Sequence, residues 1–204
     1  MCWRSSTNIR GNHLLLFRAA AVGGTAPLYR RLLGKRFDAL PRRLRELHDL
    51  NAVSVWSGRA TVQLGTHPLA RLIAWISGLP PSGRDVALRV TFTPREGHEH
   101  WVRDFGGHTF RSTQSADRDL LRERVGPTTF LFALDASPDG LALRLSGLRL
   151  VGVPLPRALH PKVHTIESDA GGRYCFEVES SLPHIGLLVR YAGWLERTAD
   201  GCSA

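Results

Sequence analysis

The sequence predicts an α+β fold: a strongly curved or closed antiparallel β-sheet of about eight or nine strands, with N-terminal helices packed on it. Three observations carry that expectation. Apolar and polar residues alternate with period two in one segment after another beyond Trp56. The connections between these segments are short, which pairs consecutive strands antiparallel. Each segment is apolar on one face only, so the strands must share one interior, and so many twisted strands curl around it.

Residues 1–26 hold Arg4, Arg10 and Arg18, no acid, and an apolar run from Leu14 to Val22 that Arg18 splits. They make a poor signal peptide and read as a mobile extension. A single domain is expected over 27–198, with 199–204 as a tail. Pro27 opens the first helix, with Thr25 as a candidate cap. Leu28, Leu32, Leu33 and Phe37 fall at helical spacing, opposite Arg30, Arg31, Lys35 and Arg36. Pro41 interrupts, and a second short helix carries Leu44, Leu47 and His48. This arm cannot be a core alone and must lay its apolar stripe on the sheet.

The first strand alternates Trp56, Gly58, Ala60, Val62 and Leu64 with polar residues. Pro68 to Leu79 then reads as a helix packed on the sheet, with Leu69, Leu72, Ile73 and Ile76 on one side and Pro80-Pro81 ending it. Val86, Leu88, Val90 and Phe92 point inward on the next strand. Trp101 to Ser112 reads as a hairpin turning at Gly106-Gly107, a pair that supplies the positive φ of a primed turn. That register sets Phe105 opposite His108, Arg103 opposite Phe110 and Trp101 opposite Ser112, all on one face. One arginine therefore stands among aromatics. Asp117, Asp119 and Glu123, interleaved with Arg118, Arg122 and Arg124, read as a salt-bridged surface turn. Further strands are expected at 127–135, 141–151, 163–168, 173–182 and 187–196. Within 141–151 the apolar parity slips from Leu141, Leu143 and Leu145 to Leu148 and Leu150, which predicts a bulge at Gly147.

Composition excludes several classes. No run of eighteen or more apolar residues occurs, so no transmembrane segment is expected. The formal charge is +9, which permits binding to anionic surfaces. The basic residues are scattered, however, and no nucleic-acid-binding motif is present, which argues against nucleic acid. Cys2, Cys175 and Cys202 are odd in number and far apart, so they form neither a disulfide framework nor a zinc site. A reducing, cytoplasmic location is the plain reading. No Gly-x-Gly-x-x-Gly follows a strand.

Several stretches together resemble the bacterial domain of unknown function 4166. They are Pro27-Leu28-Tyr29, Leu32-Leu33-Gly34 and Leu40-Pro41, then Pro68 to Leu72, the Trp-x-Arg-x-Phe-Gly core of the hairpin, Gly152-x-Pro154-Leu155-Pro156, and Leu187-x-Val189-x-Tyr191-x-Gly193. The resemblance runs from about Pro27 to Leu195. Trp101, Arg103, Phe105, Gly106, Phe110 and Ser112 match its pattern, and Glu167 matches an acidic position. Family members occur alone or behind saccharopine-dehydrogenase-like reductase domains, and no activity is established for the domain itself. The resemblance implies no cofactor for this chain.

The candidate chemistry is sparse. His98 and His100 share a face, but the register puts His108 on the other, so no metal site is expected. No nucleophile elbow exists, and no histidine is placed by sequence to activate Ser112. The expected function is a non-catalytic binding or accessory domain that encloses a small apolar ligand or docks a reductase partner. Its candidate ligand-binding residues are Trp101, Arg103, Phe105, Phe110, Ser112, Glu167 and Tyr191. The alternative is a small-substrate enzyme with an anion-binding pocket centred on Arg103 and with His48 or Glu167 as acid or base. A buried arginine cannot shed its charge and needs a partner. Parity turns most acids outward, which leaves Glu167 as the expected one.

Overall fold

The computed structural model describes residues 26–198. Residues 1–25 of the expected extension, Thr25 among them, and the 199–204 tail lie outside the described residues. Eleven strands run in chain order: β1 (Ser54–Leu64), β2 (Gly83–Arg95), β3 (His98–Phe105), β4 (His108–Asp117), β5 (Leu120–Val125), β6 (Thr128–Ser137), β7 (Gly140–Leu150), β8 (Val153–Pro154), β9 (Lys162–Ala170), β10 (Arg173–Leu182) and β11 (Gly186–Arg197). All pairings are antiparallel. The order is β6-β5-β4-β3-β2-β1-β11-β10-β9-β7, and β6 pairs back onto β7 to close the sheet. The result is a ten-stranded barrel, with the two-residue β8 outside it on β7.

The closed curved sheet is as expected, and two strands are missing from the sequence reading, the short outer β8 and the barrel strand β5. The second matters more. Its Leu121, Glu123 and Val125 face inward while Arg122 and Arg124 face out, so the expected surface turn is confined to Arg118-Asp119, and Arg122, Glu123 and Arg124 lie on a barrel strand. The hairpin register holds: Phe105 faces His108, Arg103 faces Phe110, Trp101 faces Ser112, and Gly106 and Gly107 take φ of 60° and 99°. The parity slip in β7 is also a bulge, since Leu131 pairs with Gly147 and Phe132 with Leu145. Between β1 and β11 the inward glycines allow a sharp bend. A Cβ at Gly58 would lie 1.9 Å from the Trp194 carbonyl oxygen, and one at Gly193 would lie 2.1 Å from that of Arg59.

Helices occupy both ends. The first arm comprises α1 (Leu28–Leu33), a 3-10 stretch (Gly34–Ala39) and α2 (Arg42–His48). Pro27 itself caps α1, with no side-chain hydrogen bond. The arm plugs the end of the barrel where β1 begins, burying Leu28, Tyr29, Phe37, Leu44 and Leu47 in the core. Leu32 stays half-buried against that core. The third helix, α3 (Pro68–Ile76), lies at the other end, between β1 and β2. It does pack on the sheet, but not through its large apolar stripe. Ala70 and Ala74, 0% and 2% exposed, face β1 and β11, while Trp75 and Ile76 stand 79% and 60% exposed. The physical reason is spacing. The chain enters the helix at Gly65, whose N–H bonds the Leu188 carbonyl and which has no room for a Cβ beside Leu187. So close an approach admits only small residues beneath the helix.

Candidate functional site

Ten strands enclose more room than their own side chains fill. A cavity of about 440 Å³ lies inside the barrel, within the usual size for small-molecule sites. Its floor, at the end closed by α1 and α2, includes Tyr29, Trp101, Gln114, Glu167 and Tyr174. Its mouth is framed by Ile73, Ile76 and Leu79 on one side and Leu150, Leu155 and Leu159 on the other. Most of the wall between is apolar, with Phe92, Phe105, Phe110, Phe130, Phe132 and Phe176 among its residues.

Charged groups line this cavity at two places, and both are paired. On the wall, Arg103 reaches diagonally across β4. Its guanidinium lies 3.4 Å from Glu123 and donates to the Ser112 hydroxyl at 2.9 Å. It also lies 4.8 Å from the Trp101 ring centre and 5.6 Å from that of Phe110, where the negative ring faces favour a cation. The side chains of Arg103 and Glu123 are only 12% and 15% exposed. Nearby, burial pushes the Tyr191 hydroxyl up to about 12, against the opposing pull of Arg103.

At the floor, α2 presents His48, wholly buried, to Glu167 of β9, with Nε2 and Oε2 2.6 Å apart. His48 Nδ1 is buried without a partner among the described residues. The tautomer with its proton on Nε2 therefore leaves no donor unmet and donates to the carboxylate. Tyr29 stacks on the imidazole at 3.8 Å and gives its hydroxyl hydrogen to Gln114 at 3.0 Å. Burial, followed by the Glu167 charge, holds the hydroxyls of Tyr29 and Tyr174 well above the ordinary phenol value. Below the floor, Glu99 accepts from the Trp101 indole at 3.1 Å, and its other oxygen is buried without a partner among the described residues. Burial raises the Glu99 carboxyl, opposed by His48 and by the Trp101 N–H.

Of the seven residues singled out in the sequence, Trp101, Arg103, Phe105, Phe110, Glu167 and Tyr191 line the cavity. Ser112 is buried in the wall beneath Arg103. The expected Arg103–Glu167 pair does not form, because Glu167 is held by His48 and Arg103 by Glu123. Glu123 was missed because its neighbours Arg122 and Arg124 make the segment look like surface. The alternation of Leu121, Glu123 and Val125 was the available signal. Tyr29 and Gln114 carried none. The histidines proposed and rejected as metal ligands each bond a different neighbour: His98 the Glu96 carbonyl, His100 the Thr113 hydroxyl and His108 the Gly78 carbonyl. Cys175 forms no disulfide among the described residues. Among the described residues no helix is long and apolar enough to cross a membrane.

Fold and cavity together define a closed antiparallel barrel with a mostly apolar interior and a paired polar floor. Residues 40–195 match the family model of a domain of unknown function (DUF4166), and the chain belongs to that family. No curated protein matches the chain.

Proposed function

We propose that the barrel is a binding module that encloses one small, mainly apolar molecule. The observation that carries this reading is the 440 Å³ mostly apolar cavity whose charged groups are already paired, Arg103 with Glu123 and Glu167 with His48. An apolar guest loses little by leaving water for such a wall, and it strands neither charged pair. Glu123 beside Arg103 neutralises the guanidinium, which favours a neutral guest over an anionic one. A single hydroxyl or carbonyl on the guest would find Arg103 and Tyr191 on the wall.

The test is native mass spectrometry of the purified chain, followed by titration with an environment-sensitive apolar fluorophore. One-site saturable binding is expected, weakened at least about tenfold by Val178→Trp, which fills the cavity from β10. Binding that is indifferent to Val178→Trp would place the guest elsewhere and remove the proposal.

A second reading rests on one observation, the Glu167 carboxylate held at the cavity floor by a buried histidine. An acid–base enzyme would use this carboxylate on the enclosed molecule. It would convert a bound ligand with time and lose that conversion in Glu167→Gln, whereas a binding module releases its ligand unchanged.

A further inference from the structure

The mouth of the barrel carries an apolar surface that none of the described residues covers. On α3, Leu69, Leu72, Trp75 and Ile76 are exposed, because the small Ala70 and Ala74 take the side facing the sheet. Across the opening, Val151, Val153 and Leu159 are exposed as well. The two groups flank the same opening: Ile76 and Leu159 both line the cavity and are both open to solvent. A stripe of this kind on a soluble face marks an interaction site, since monomers rarely expose contiguous large apolar patches.

Charge selects the partner. The framing segments 65–82 and 150–164 contain Arg71, Arg157 and Lys162 and no acidic residue. All three are exposed, and none has an ion-pair partner among the described residues. Apolar side chains with an exposed tryptophan, set among unpaired basic residues, match the layered chemistry of a bilayer surface: anionic headgroups outside, acyl chains beneath. We propose that this end of the barrel docks on an anionic lipid surface. Trp75, Ile76, Val151 and Val153 enter the boundary between headgroups and acyl chains, and Arg71, Arg157 and Lys162 meet the headgroup charges. The cavity mouth then opens towards the acyl layer. The docking goes beyond the ligand-binding reading and stands without it, because vesicle binding is measured whether the cavity is filled or empty.

The chain carries a formal charge of +9, so the test must separate docking from general adsorption. The full chain is floated with vesicles of phosphatidylcholine alone and of phosphatidylcholine with one quarter phosphatidylserine. Binding to the mixed vesicles is expected, and at least about tenfold less to the neutral ones. Trp75→Ser with Ile76→Ser, and separately Arg71→Glu with Arg157→Glu and Lys162→Glu, should each weaken it about tenfold or more. The same charge reversal at the far end, at the exposed Arg45, Arg95 and Arg118, should change it less than about twofold. Every substituted residue is exposed, and circular dichroism verifies that the variants are folded. Failure to float with mixed vesicles would overturn the proposal, as would equal losses from the two charge reversals. Concentration-dependent self-association abolished by the Trp75 and Ile76 changes, without vesicle binding, would assign the surface to a second copy of the chain instead.

Discussion

Replacing Glu123 with leucine leaves the Arg103 guanidinium inside the barrel without its counter-charge. For a fully buried pair, loss of one partner costs about 3–5 kcal/mol. Here the side chains retain 12% and 15% exposure, and Arg103 keeps Ser112 and the faces of Trp101 and Phe110. The aromatic contacts are each worth on the order of 1 kcal/mol, and the open cavity supplies some water. The expected loss is therefore about 2–3 kcal/mol. At about 2–4 °C per kcal/mol for a domain of this size, Tm should fall by about 4–12 °C. Replacing both residues, Arg103→Met with Glu123→Leu, removes the charges together and should return stability to within about 1 kcal/mol of the parent. Urea denaturation of the four proteins gives the coupling directly, and about 2 kcal/mol is expected. The parallel cycle of Arg103→Met with Glu167→Gln should show coupling under about 0.5 kcal/mol, because Glu167 belongs to His48. A Glu123→Leu loss below about 1 kcal/mol, or stronger coupling of Arg103 to Glu167, would refute this assignment of partners.

Two further outcomes follow from the floor and the barrel bend. Burial raises the Glu99 carboxyl above its ordinary value of 4.5. Its contribution to stability is thus fully present below pH 4.5 and is lost as pH rises through the folded value. Glu99→Gln keeps an oxygen for the Trp101 N–H and removes the buried negative charge, so it should be more stable than the parent at pH 7 by about 1 kcal/mol. That advantage should vanish at pH 4 and below, as thermal melts across pH would show. Gly193→Ala puts a methyl group against the Arg59 backbone and should cost more than about 2 kcal/mol. Gly147→Ala meets only the movable Leu131 side chain, at 3.1 Å, and should cost under about 1 kcal/mol. Equal costs by chemical denaturation would discount the close approach of β1 and β11.

What the sequence determined by itself is the set of faces. Period two in β1, β2, β3, β10 and β11 told which side chains turn inward, because adjacent Cβ atoms of a strand point to opposite sides of the sheet. The turn at Gly106-Gly107 and the bulge at Gly147 were legible for the same local reason: each is decided by residues a few positions apart. Glu123 was half legible, since its parity was right while its charge and its neighbours suggested surface. What only the tertiary structure decided is which inward residues meet. Closure of β6 on β7 and the stagger of the strands bring Arg103 to Glu123 across an intervening strand. They also bring α2 over β9, so that His48 reaches Glu167 across 119 positions of chain. No alternation pattern encodes those meetings, because parity names a face and not a neighbour. The orientation of α3 was undetermined for a related reason. Its apolar stripe was plain, but the narrow gap at Gly65 accepted only the alanine side, and the larger residues were left at the open mouth of the barrel.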